Sequence, residues 1–183
     1  MNQEVQTQLE NLISGNVEAR SEAYSFLLQA SEQPVDWAYE AWDRLVALLR
    51  HKDNHVRSIA SQVLSNLAQS DPEFRMQKDF RALLAVTRDE KFVTARHCLQ
   101  SLWKIGTAGS PQCKMVVDGL AERFAECSTE KNCTLIRYDI LLALKQLSDV
   151  VKDESIGERA RALIETEPDE KYRKKYKTVW KGK

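Results

Sequence analysis

The chain has 183 residues, enough for one ordinary domain and too few for two comfortable ones. Hydrophobic residues make up 43%, which excludes a generally disordered chain, and charged residues make up 30%, which suits long helices with one solvated face. The formal charge is zero, and six glycines with four prolines are too few for a β-rich domain of this length.

In chain order, the apolar periodicity predicts helices over 2–13, 17–31, 35–50, 54–69, 72–87, 90–106, 111–126, 130–148, 154–165 and 169–180. Between them lie short polar turns: Gly15-Asn16, His51 to Asn54, Arg88 to Glu90, and Cys127 to Thr129. Two series keep step along this order. Pro34, Pro72 and Pro111 are 38 and 39 residues apart, and each is expected to open a helix, because proline at the first helical position lacks only an N–H that the helix does not use. The second series recurs on every other helix. It reads Ala19-Arg20, Ala23, Leu27, Ala30; then Val56-Arg57, Ala60, Leu64, Leu67; then Thr94-Ala95, Cys98, Leu102, Ile105; then Ile136-Arg137, Ile140, Leu144, Leu147. The spacing i, i+4, i+8, i+11 is one face of a helix, and the copies start 37, 38 and 42 residues apart. The intervening helices carry their own stripes, for example Ala38, Trp42, Leu45 and Leu49.

The chain is therefore expected to be a single all-α domain over 1–183. It is an α-α superhelix of about four helix pairs (2–31, 34–69, 72–106, 111–148) closed by a helical cap over 149–183. A lone pair cannot bury its apolar face, and stacking the pairs makes one core.

The arithmetic of roughly 40 residues per helix pair resembles HEAT repeats. The stretch Asp53-Asn54-His55-Val56-Arg57-Ser58-Ile59-Ala60 carries the resemblance, with its Asp, Val-Arg and small residue, and Thr134-Leu135-Ile136-Arg137 is a weaker copy. The resemblance covers residues 2–148 and departs from the family pattern in the third copy, where Ala95 replaces the arginine and Arg96 follows it. It implies a protein-binding scaffold or adaptor, with second helices lining the binding side and no cofactor. Arg20, Arg57, Ser61, Arg96, Trp103 and Arg137 are then the expected partner contacts. Ser61 and Arg96 are expected to be exposed. The competing reading of the arginines is that they bond turn carboxylates of the neighbouring repeat.

A different function class is implied by HEAT-like proteins that excise alkylated bases from DNA: nucleic-acid binding, with Trp103, Arg96 and Arg137 lining a cleft. The C-terminal segment offers its own cationic surface. Between Lys171 and Lys183 there are seven basic residues and no acidic one, including Lys171, Arg173, Lys174, Lys175 and Lys177. Taking these seven from 27 leaves 20 basic against 27 acidic residues over 1–170, so the body is acidic and repels a polyanion. Tyr172, Tyr176 and Trp180 form an aromatic stripe on the same helix, which either contacts a ligand or docks the helix on the last repeat.

His51 and His55 have a ligand-like spacing, but the intervening Lys-Asp-Asn turn destroys the geometry, and no metal site is expected. The sequence has no GxSxG, P-loop, GxGxxG or HExxH motif. The polar N-terminus, the lack of an apolar run near the roughly 18 residues that span a bilayer, and four cysteines without CxxC spacing lead us to expect a cytoplasmic protein.

Overall fold

The computed structural model describes residues 3–180, and every regular element among them is helical. The elements are α1 (Gln3–Asn11), α2 (Val17–Ala30), α3 (Ala38–Leu48), α4 (Asn54–Leu67), α5 (Met76–Val86), α6 (Phe92–Ser101), α7 (Trp103–Gly106), α8 (Ser110–Glu126), α9 (Cys133–Val151), α10 (Glu154–Glu165) and α11 (Glu170–Val179). Short 3-10 turns at Ala68–Ser70 and Cys127–Thr129 extend α4 and α8. None of these helices is long and apolar enough to cross a membrane. The chain divides into two compact units, Met1–Ser101 and Leu102–Lys183.

In the first unit α1 packs on α2, α3 on α4 and α5 on α6. The second helices also pack on one another, α2 on α4 and α4 on α6. The repeated motif explains this. Ala23, Leu27, Val56, Ala60, Leu64, Leu67 and Cys98 are all buried, with small residues where backbones approach and leucines filling the layer between. Ala60 has no exposed surface, so Ala60→Leu is expected to overpack the layer and lower stability by about 1–3 kcal/mol. A urea midpoint equal to that of the parent would contradict this.

Two expected helix starts are corrected. Pro34 and Pro72 do not open helices; α3 and α5 begin four residues later, at Ala38 and Met76. Around Pro72, the Asp71 carboxylate reaches forward and accepts from the N–H groups of Arg75 and Met76, both at 2.8 Å. It caps α5 from outside the helix, and the loop folds back through Phe74 at φ 55° to let it do so. Tyr39 stitches this loop to α3: its hydroxyl donates to Asp71 at 2.7 Å and accepts from the N–H of Glu73 at 2.8 Å. After Pro34, the N–H of Val35 donates to Ser70 Oγ at 2.8 Å and so leaves the helical path. Pro111 does lie in the first turn of α8.

The single helix expected over 90–106 is also broken, into α6 and α7 at Leu102. Ser101 Oγ donates back to the carbonyl of Cys98 at 2.8 Å, and Ile105 bonds the carbonyl of Leu102 three residues back. Such serine back-bonding competes with the helical ladder and tightens the turn.

In the second unit α9 is central and touches α7, α8, α10 and α11. Its inner face (Ile136, Ile140, Leu144 and Leu147) is wholly or almost wholly buried, as the fourth motif copy requires. Lys152, at φ 57°, closes α9 in the left-handed conformation, and Asp153 caps α10 through the N–H of Ser155. The last two helices pack on each other and on α9. Tyr176 is fully buried, donates to the carbonyl of Thr134 at 2.9 Å and meets Phe124 edge-on at 6.4 Å. Gly157 leaves room for the Trp180 ring, since a Cβ there would lie 3.2 Å from it.

Candidate partner-binding surface

The motif arginines reach the carboxylates that precede the next helices. From α2, Arg20 donates to Asp53 at 2.6 Å, and Asp53 in turn caps α4 by accepting from the N–H of His55 at 2.8 Å. From α4, Arg57 grips Asp89 with two parallel bonds of 2.5 and 2.8 Å, and Asp89 accepts from the N–H of Lys91 just before α6. A third nitrogen of Arg57 donates to the carbonyls of His51 and Lys52. In the second unit Arg137 donates to Glu167 at 2.7 Å and to the carbonyl of Phe124 at 3.1 Å. Glu167 accepts from the N–H of Asp169, the cap of α11. The same device thus recurs at separations of 33, 32 and 30 residues. In the copy where Ala95 replaces arginine, the next turn acid, Glu130, is held instead from α8, by two bonds of 2.6 and 2.8 Å from the buried Arg123.

Burial alone pushes the carboxyls of Asp53 and Asp89 up, yet both end below the usual carboxylate range. The N–H and ring of His55 with Arg20 outweigh burial at Asp53; Arg57 and the N–H of Lys91 do so at Asp89. A depressed folded-state pKa contributes stability that is present above the unfolded value of about 3.9 and is lost as pH falls through the folded value. The urea midpoint of the protein is therefore expected to fall as pH drops below about 4, less steeply in Asp89→Asn. An unchanged acid slope in that variant would remove Asp89 from the account.

Ser61 is corrected: it is fully buried, and its hydroxyl donates to the carbonyl of Ser58 at 2.8 Å, so it offers nothing to a partner at the surface. Small polar residues on the second helices bond one another or their own backbone, and the apolar motif hid them. Arg96 and Trp103 are half-buried, on α6 and at the start of α7. His51 lies outside α4 and His55 in its first turn, each turned to Asp53.

Polar rungs join successive second helices, one between α2 and α4 and two between α4 and α6. Tyr24 donates to Gln62 at 3.2 Å, Asn54 bonds Thr94 at 3.2 Å, and Ser58 pairs with the exposed His97 at 3.0 Å. Between the starts of α4 and α6 the last two of these rungs border an open groove of about 430 Å³. Its lining includes His55, Phe92, Val93 and His97, and Val93 is 63% exposed. Sequence reasoning missed this groove; the only signal was Phe92-Val93, two apolar residues ahead of the motif.

The basic segment is partly engaged. Lys174 pairs with Glu170 at 2.8 Å, Lys177 with Glu165 at 2.7 Å, and Arg173 donates to the carbonyl of Glu167 at 2.8 Å. Lys175 lies over the Tyr138 ring and Lys171 over that of Tyr172. Lys181 and Lys183 lie outside the described residues.

The sequence matches no protein-family model and no curated protein. Among solved structures, an engineered protein from the Northeast Structural Genomics Consortium aligns over 98% of this chain and 78% of its own, at 18% identity and a TM-score of 0.57. A second engineered protein from the same source aligns over 98% of this chain and 88% of its own, at 18% identity and a TM-score of 0.53. A designed armadillo repeat protein in complex with the peptide (KR)4 covers 98% of both chains at 15% identity and a TM-score of 0.47. At these identities the first two matches concern the fold alone. With its helix pairs recurring at near-constant spacing, the chain has an all-α helical-repeat fold of the α-α solenoid class.

Proposed function

We propose that this chain is a HEAT-like repeat protein that acts in the cytoplasm as a protein-binding scaffold or adaptor. The observation that carries the reading is the groove between the starts of α4 and α6, with polar rungs on its border and an exposed valine on its rim. The polar side chains of Asn54, Ser58 and His97 along the groove suit an extended segment of partner chain, whose backbone offers donors and acceptors at regular steps. Phe92 and Val93 supply the apolar anchor that such polar contacts need for affinity. Arg96 and Trp103 retain surface and belong to the proposal as contacts on their own helices. The motif arginines Arg20, Arg57 and Arg137 serve the fold first, through the carboxylates they hold.

The test has two steps. Cross-linking from cells identifies a partner, which is then purified and titrated against the full chain by calorimetry. Val93→Glu places a charge on the apolar rim at an exposed position, where stability changes are usually within about 0.5 kcal/mol. It is expected to weaken binding at least about tenfold, or about 1.4 kcal/mol. Equal affinity of Val93→Glu and His97→Ala with the parent would overturn the placement of the site. Absence of direct binding between purified components would overturn the scaffold reading itself.

A further inference from the structure

Four cysteines carry free thiols. Cys98 is sealed in the core of the first unit, where burial pushes its thiol up to about 12, and Cys113 stands alone on α8. Cys127 and Cys133 differ from both: their Sγ atoms lie 3.0 Å apart, about 1 Å beyond the covalent S–S distance of about 2.05 Å. They face each other across the turn between α8 and α9, Cys127 opening the 3-10 turn and Cys133 opening α9.

We propose that Cys127 and Cys133 form a reversible dithiol–disulfide pair, oxidised by a small disulfide of the glutathione type, which locks the corner between α8 and α9. The corner is already held from both sides. Arg123 clamps Glu130 in the middle of the turn, and Arg137 ties the carbonyl of Phe124, near the end of α8, to α9. Holding two reacting atoms in contact converts the closing step into an intramolecular one with a high effective concentration. Burial and the neighbouring Cys133 sulfur push the Cys127 thiol up to about 12, with Arg137 and Arg123 opposing them, so Cys127 is the resolving and not the attacking thiol. In a reducing compartment a disulfide of this kind is transient, which is the behaviour of a redox-responsive pair rather than of a structural staple.

Exposure sets the order of events. Cys133 is half-exposed and Cys127 fully buried, so a small disulfide reaches Cys133 first. Cys133 gives its proton to solvent, and its Sγ attacks one sulfur of the small disulfide. The S–S bond of the reagent breaks and one small thiol leaves. Cys127 then attacks Cys133 Sγ, the mixed S–S bond breaks, and the proton of Cys127 passes to the departing sulfur, which leaves as the second small thiol. In the balance, two protein thiols become one disulfide and one small disulfide becomes two thiols. Closing the bond removes the contact of Cys127 Sγ with the carbonyl of Phe124, which Arg137 also uses.

The test uses the full chain equilibrated in glutathione buffers of increasing oxidised fraction, quenched with an alkylating agent in acid-denatured and then urea-unfolded form so that buried thiols also react, and read by intact mass and peptide mapping. Expected is a species that takes up two alkyl groups where the reduced chain takes up four, with Cys127 linked to Cys133, Cys98 and Cys113 still alkylated, and full reversal by dithiothreitol. In Cys127→Ser, the reaction should stop at a glutathione adduct on Cys133; in Cys133→Ser, Cys127 should stay reduced. Hydrogen exchange of the parent should slow across 127–137 on oxidation. Adducts at Cys133 without closure in the folded parent would overturn the proposal, as would a Cys127 that remains alkylatable at every ratio. These parent measurements stand even if a serine variant fails to fold.

Discussion

Arg57→Ala is expected to destabilise the protein by about 3–5 kcal/mol, because it strands a carboxylate that burial has already desolvated. The side chain of Asp89 is only 4% exposed, and that of Arg57 is 14% exposed. An ion pair on the open surface contributes no more than about 1 kcal/mol, so the size of the loss decides which kind of pair this is. The geometry favours the larger figure: two parallel bonds to the carboxylate and two more to backbone carbonyls of the preceding turn. Asp89→Asn in the Arg57→Ala background should recover part of the loss, since the stranded charge is then gone. The check is a set of urea unfolding curves at neutral pH for both single variants and the double. A single-variant loss under about 1 kcal/mol would assign the pair to the solvated class.

The repeat was legible because it is written in apolar periodicity. Ala60, Leu64 and Leu67 must face a core at i, i+4 and i+7, and nothing distant in sequence alters that demand. The starts of α3 and α5 were not legible, because they depend on who captures a backbone N–H. Asp71-Pro72 reads as a cap followed by a first helical residue, yet Asp71 spans four residues to cap Met76 while Tyr39, thirty-two residues earlier, holds its other side. Ser31 shows the same limit. It closes α2, is fully buried, and receives Asn66 at 3.0 Å and, through its carbonyl, Gln69 at 2.9 Å. Its partners are set by packing and leave no local signature.

The arginines lay between these cases. Their register pointed to one shared role, and the alternatives were a partner or a neighbouring turn. Choosing between them needed the positions of Asp53, Asp89 and Glu167, which lie one helix pair further along. The groove was less legible still. Val93 reads as one more apolar residue until its exposure is known, and the rungs beside it join residues 39 and 40 positions apart.

Arg137→Ala is the other variant expected to lose about 3–5 kcal/mol, and its consequence should be localised in a way that Arg57→Ala is not. The last two helices looked like a cap outside the repeat, since the apolar motif stops after Leu147. The arginine device continues past that point. Arg137 on α9 holds Glu167 ahead of α11, as Arg20 holds Asp53 ahead of α4 and Arg57 holds Asp89 ahead of α6. By this criterion α10 and α11 are a further helix pair, built to the repeat plan but with Tyr176 and Trp180 in place of the aliphatic motif. Both ends of the Arg137–Glu167 pair are under 10% exposed, and the guanidinium also stacks 4.7 Å from the Phe124 ring, so its loss removes packing along with charge. Hydrogen exchange in Arg137→Ala should show α11 losing protection before α8 and α9, because Tyr176 and the glutamate side of the pair are what anchor it. Arg137→Met with Glu167→Gln should restore much of the stability by filling the same volume without a buried charge. Uniform loss of protection across the second unit would instead make Arg137 part of one indivisible core, and α10–α11 would then not behave as a repeat of their own.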